Sequence, residues 1–180
     1  FPGVVPDSLL RPADTVYHKP FLDDVISGKN EDSLVYQVQK KIVYIYEKGD
    51  VKYQKMNLKA DFMRINMDNK EIYAYQLKEP TEAGDTVKIT ATRPEFLDNG
   101  TSYTMDTITY NLDSKKARIK GVATQEGEGY LKGMKVKKMP DNTINIANGR
   151  YTTCDAEDPH FYMAMTKSKT IPGKKSVFGP

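Results

Sequence analysis

A chain of 180 residues with 27 basic and 24 acidic side chains, a net charge of +3 and 38% hydrophobic residues is sized for one domain. The mean hydropathy of −0.63 and a longest apolar run that only spans Ile42 to Tyr46 exclude a membrane-crossing helix, which needs about 20 apolar residues. The weak, dispersed charge argues against a nucleic-acid partner, and the densest basic stretches, Lys135, Lys137 and Lys138 and the tail from Lys167 to Lys175, read as lysines guarding strand edges.

The chain begins at Phe1 without Met, which predicts a processed or trimmed product. Residues 1–31 carry Pro2, Pro6, Pro12 and Pro20 without a sustained period and read as an extended lead-in; His18, with no second His or Cys nearby, reads as a surface residue. The remainder, 32–180, reads as one domain. From Asp32 a period-2 alternation starts: Leu34, Tyr36 and Val38, a polar turn at Gln39 to Lys41, then Ile42 to Tyr46. The same strand-turn-strand unit recurs from Asp61 to Ala74, with Met63, Ile65 and Met67 before a turn at Asp68-Asn69 and Ile72 and Ala74 after it. Pro80 to Asp85 reads as a loop, Thr86 to Thr92 as a short polar strand and Asn99-Gly100 as a hairpin turn of the primed kind. A third unit runs from Asp106 to Ile119, with Ile108, Tyr110 and Leu112 alternating before the Asp113-Ser114 turn. A fourth holds Met134 and Val136, a turn at Pro140 to Asn142, then Ile144 and Ile146.

A strand-turn-strand unit hides its apolar side only against its neighbours, so stacked units predict an all-β, solenoid-like β-jellyroll with one apolar interior. The expected inward set is Leu34, Tyr36, Val38, Met63, Ile65, Met67, Ile72, Ala74, Ile108, Tyr110, Leu112, Ile119, Met134, Val136, Ile144 and Ile146. Such a set lines either a packed core or an apolar groove, and its methionines suit irregular shapes.

Two stretches invite chemistry. The glycine-rich run from Gln125 to Gly133 fits no nucleotide-binding pattern and reads as a bulge or sheet corner. The run from Tyr151 to His160 offers Cys154, His160 and three acids, so a Cys-His hydrolase or a metal site must be weighed. No helix start lowers the thiol pKa, and Asp155, Asp158 and His160 match no standard metal spacing; a turn after a strand accounts for the run. As the only cysteine, Cys154 cannot form an internal disulfide.

The stretches Gly149 to Asp155 and Asp158-Pro159-His160-Phe161, with the closing Lys169 to Lys175, resemble the end of the N-terminal periplasmic domain in the LptD (OstA/Imp) family of lipopolysaccharide-assembly proteins, in the form seen in Bacteroides-type bacteria. The upstream units, including Leu58 to Asp61 with Asn66 and Glu126 to Tyr130, are similar to the OstA repeats shared with LptA and LptC. This resemblance covers Asp32 to the C-terminus. It implies a non-enzymatic role without cofactor or metal, in which the inward residues bind the lipid A acyl chains of lipopolysaccharide, taken from an LptA-like periplasmic bridge and passed to the chain's own C-terminal outer-membrane barrel with its LptE-like lipoprotein. It also implies that Cys154 pairs with a cysteine of that barrel region; the second N-terminal cysteine of two-bridge members has no counterpart here. The alternative is a docking module that joins periplasmic jellyrolls by edge-strand pairing and holds no lipid, and a closed, side-chain-filled interior would favour it.

Overall fold

The computed structural model describes residues 22–76, 92–126, 128–156, 159–171 and 174–179. The loop expected at 80–85, the polar strand expected over 86–92 apart from Thr92, and the lead-in up to residue 21, with His18, lie outside these residues. Among the described residues there is no α-helix, in line with the absence of apolar residues at helical spacing.

The chain opens with β1 (Ser27–Lys29), which falls inside the expected lead-in yet pairs with the second half of β3 (Ile42–Tyr53). β2 (Leu34–Gln37) pairs with the first half of β3, and a single 3-10 turn, Val38–Lys40, joins them. Next come β4 (Met56–Asn66), β5 (Glu71–Tyr75), β6 (Glu95–Asp98), β7 (Thr101–Thr104), β8 (Thr107–Asn111) and β9 (Ala117–Glu126). β10 (Gly129–Lys138), β11 (Ile144–Thr152), β12 (Met163–Ile171) and β13 (Lys175–Gly179) follow as an antiparallel meander. The Asp61, Asp106 and Met134 units are therefore the hairpins β4-β5, β8-β9 and β10-β11. The β6-β7 turn is of the primed kind expected, with φ positive at both Asn99 (49°) and Gly100 (84°).

Six strands close on themselves in the order β4-β5-β8-β9-β7-β6, an antiparallel barrel from which the other strands extend on both sides. Closure is possible because β4 and β9 each change partner half-way. Residues Met56 to Lys59 of β4 pair with β6 and Phe62 to Asn66 with β5; Ala117 to Lys120 of β9 pair with β8, and Ala123 with β7. The last seam is the thinnest: one bridge pair, Thr104 with Ala123, reinforced by hydroxyl bonds from Thr104 to Ala123 O (3.2 Å) and from Thr124 to Ser102 O (3.1 Å).

Half-way along each long strand the in-out alternation skips one residue. The skip falls at Glu47 and Lys48 of β3, where both φ angles are positive and the register with β4 shifts, and at Asp61-Phe62, Lys120-Gly121, Met134-Lys135, Ala147-Asn148 and Thr166-Lys167 in β4, β9, β10, β11 and β12. In β3 an extra residue bends the strand, while from β9 to β12 the register is the same on either side of the skip, so those strands turn together. Aligned across the sheet, these bends make a continuous corner that divides it into two layers. Gly121 is required there: its φ is +62°, and a Cβ would lie 1.9 Å from Asp106 Oδ2. Asp106 instead accepts a bond from Arg93 Nη2 at 2.6 Å, the same guanidinium group bonding Gly121 O at 2.8 Å, and Asp61 accepts the N–H of Thr92 at 2.8 Å. The two repeat-opening aspartates thus hold the chain where it re-enters after residue 91.

Candidate functional site

The expected interior separates into two groups. Met63, Ile72, Ala74 and Ile108 are wholly buried, and Ile65, Tyr110, Leu112, Ile119, Val136, Ile144 and Ile146 are at most 5% exposed, all in one cluster with Leu58, Phe96 and Met105. At zero exposure nothing the size of water reaches a side chain, so the barrel wall touches protein. Met67 is half-buried against this cluster. Burial, and secondly the Asp98 carboxylate, hold the Tyr110 phenol above its ordinary range.

Leu34 (57% exposed), Tyr36 (50%), Val38 (70%) and Met134 (67%) are not inside, which corrects the expected inward set. Leu34 and Tyr36 pair with Ile45 and Val43, but β2 is an edge strand with no element beyond it. Val38 belongs to the 3-10 turn. Met134 stands two residues from buried Val136 and should share its face, but the corner falls between them.

The sheet ends in open edges. On one side are β1 and β2, where Val35 (45% exposed) joins Leu34 and Tyr36 in an apolar strip. On the other are β13, with Val177 and Phe178 exposed, and the first half of β12, which pairs with β11 but not with β13 and where Met163 follows exposed Phe161 and Tyr162. An apolar strand with unpaired backbone groups is a template for another strand.

The loop between β11 and β12 holds the thiol. Thr152 Oγ1 donates to Phe161 O at 2.7 Å and accepts the Cys154 N–H at 3.0 Å, which folds the loop so that Cys154 Sγ lies 3.7 Å from His160 Nδ1. The hydrogen bond with His160, followed by the backbone N–H groups of Ala156 and His160, lowers the thiol pKa. Sequence reading found no helix to do this; the turn supplies amide donors in its place. Neither of the two cavities described in the molecule is lined by Cys154 or His160. Among the described residues no three of His, Cys, Asp and Glu gather as a metal site. The arrangement makes a ready nucleophile for disulfide formation. Alkylation of Cys154 by iodoacetamide, followed by mass spectrometry across pH, should reach half its maximal rate below the ordinary thiol value of about 8.5. His160→Ala should move that midpoint upward and slow the reaction at neutral pH several-fold, whereas an unchanged midpoint would refute the assignment.

Of the lysines expected to guard strand edges, Lys175 stands on an edge strand, β13, while Lys167 and Lys169 lie where β12 is paired on both sides. Lys135 and Lys137 are on β10, which is paired on both sides, and Lys138 is buried in an ion pair with Asp98. The sequence signal was a basic doublet at spacing two, present at Arg118 and Lys120, at Lys135 and Lys137, and at Lys167 and Lys169. Each doublet lies on the outward side of its strand. No family model matches the chain, and a search of curated proteins finds no match.

Proposed function

We propose that this chain is a non-enzymatic periplasmic module of lipopolysaccharide transport and outer-membrane assembly, a solenoid-like β-jellyroll that docks neighbouring jellyrolls by strand addition. The supporting observation is a contrast: the barrel interior is filled by side chains, while the apolar strips on β2 and β13 lie open at opposite edges of one sheet. Strand addition uses the backbone groups of an edge for affinity and its alternate side chains for specificity. An LptA-like bridge protein would meet one edge, and the chain's own barrel region with an LptE-like lipoprotein the other, with Cys154 cross-linked to the barrel region.

Photo-crosslinking residues placed in cells at Tyr36 and Val177 test this reading. Protein adducts of a size matching a bridge jellyroll are expected at one of the two positions. Labelling by lipopolysaccharide at both, without protein adducts, would defeat it. The conduit reading, in which acyl chains enter the interior, has one observation in its favour. The β7-β9 seam is a single bridge pair, and parting it would uncover Tyr103, Met105 and Val122.

A further inference from the structure

The outward face carries a feature that neither docking nor the thiol uses. Residues paired across antiparallel strands share a face, so the register can be followed from strand to strand. In one row Lys120 lies opposite Lys135, Lys135 opposite Ala147 and Ala147 opposite Lys167. In the next, Arg118 lies opposite Lys137, Lys137 opposite Asn145 and Asn145 opposite Lys169. All six cations are exposed, and none makes an ion pair among the described residues. Together they line a trough of about 860 Å³ whose described lining contains no acidic side chain.

Two of these contacts set like charges directly opposite each other, at Cβ separations of about 4.5–5.5 Å, which destabilises a bare sheet. Guarding an edge does not explain them, because β9, β10 and the second half of β12, which carry the cations, are paired on both sides. Traced the other way, one row runs through Thr107, Tyr75 and Phe62 to Tyr46, and the other through Thr109, Tyr73 and Arg64 to Tyr44, with the Arg64 guanidinium 5.4 Å from the Tyr73 ring centroid. The rings of these two rows form a ladder in which neighbours lie 4.7–6.5 Å apart. One face therefore joins the six cations of the trough to a hydroxyl-rich aromatic platform that holds a seventh, Arg64.

We propose that this face binds an anionic glycan, a sugar chain bearing phosphate or carboxylate groups. Its charges sit on the two cationic rows, and its hydroxyls bond Thr107, Thr109, Asn145 and the tyrosine hydroxyls. From β5 to β13 the trough crosses six strand gaps, about 29 Å at 4.8 Å each, so the ligand is extended. Single-stranded nucleic acid fits less well, because the rings of the ladder pack on one another and, Tyr73 apart, do not line the trough where the six cations lie, so they offer few stacking platforms beside those charges. A bilayer is flat, and the trough is concave. The assignment stands on the register and the trough alone and does not depend on the docking reading.

Binding is measured by calorimetry at about 50 mM salt, where exposed charges are weakly screened. The probes are the soluble phosphorylated oligosaccharide released from lipopolysaccharide by mild acid, polygalacturonate, phosphatidylglycerol vesicles and a single-stranded DNA. At least one soluble glycan is expected to bind more tightly than vesicles or DNA and to weaken as salt rises. The variant Arg118→Gln/Lys120→Gln/Lys135→Gln/Lys137→Gln should keep its melting temperature, since it relieves two like-charge pairs, and should bind at least about tenfold more weakly. Lys29→Gln/Lys40→Gln/Lys52→Gln/Lys55→Gln, with the same loss of charge elsewhere, should bind as the parent does. Absence of glycan binding, tighter binding of DNA or vesicles, or equal weakening in both variants would overturn the proposal. The crosslinks at Tyr36 and Val177 are read separately, so failure of one reading leaves the other standing.

Discussion

Asp98→Ala should cost about 3–5 kcal/mol of stability, among the largest effects expected of a single substitution in this protein. Asp98 and Lys138 form an ion pair with side chains 8% and 3% exposed, and Lys138 Nζ also donates to Asn142 Oδ1 at 2.8 Å. Asn99 Nδ2 bonds both Asp98 Oδ1 (3.1 Å) and Asn142 Oδ1 (3.3 Å), so the network ties the β6-β7 turn in one layer to the β10-β11 turn in the other. Removing the carboxylate leaves an ammonium group in the interior with one neutral partner. The cost is that of an uncompensated buried charge and exceeds what the pair adds when intact. The double replacement Asp98→Leu/Lys138→Met removes both charges and should be close to neutral or more stable than the parent. Urea unfolding of the three proteins checks this: a loss under about 1 kcal/mol for Asp98→Ala would mean that water reaches Lys138.

Phe96→Ala should cost a similar amount, about 3–5 kcal/mol, for a different reason. Phe96 is fully buried, with its ring centroid 5.4 Å from that of Tyr110 and 6.2 Å from that of Tyr103, so truncation opens a cavity between β6, β7 and β8. The measurement bears on function. A side chain facing an open lipid groove leaves no cavity in a solid when it is cut back, and its loss should change stability by no more than about 0.5 kcal/mol, as expected for an exposed position such as Leu34. A near-neutral Phe96→Ala would therefore reopen the conduit reading, whereas a loss of several kcal/mol places the interior with ordinary packed cores.

The repeat was legible in the sequence because its turns are punctuated: Asp68-Asn69, Asp113-Ser114 and Pro140 to Asn142 each stand between apolar alternations, and each is a turn in the structure. The corner was not legible. A single skipped residue in a ten-residue strand leaves the two halves alternating correctly and out of phase, so Met134 and Val136 look like one face although they lie on two. Exposure of Leu34 and Tyr36 was hidden for another reason, since alternation shows which side a residue takes and is silent on whether anything covers that side. The approach of Cys154 to His160 depends on the Thr152 hydroxyl bonding across nine residues to Phe161 O, a contact that no local pattern announces. The basic doublets were visible, but only the register shows that all three fall in the same two rows, the third one strand beyond the second.

The corner has one more consequence. Every long strand bends at the same level, so whether a residue faces in or out depends on its position relative to that level and not on how many hairpins lie to either side. One residue inserted in a strand would turn half of it inside out. A whole hairpin inserted outside the closed barrel, beside β10 and β11 for instance, would preserve every neighbour's facing. The molecule can thus change length at constant thickness, as a rod does, and its extent is a count of units laid side by side.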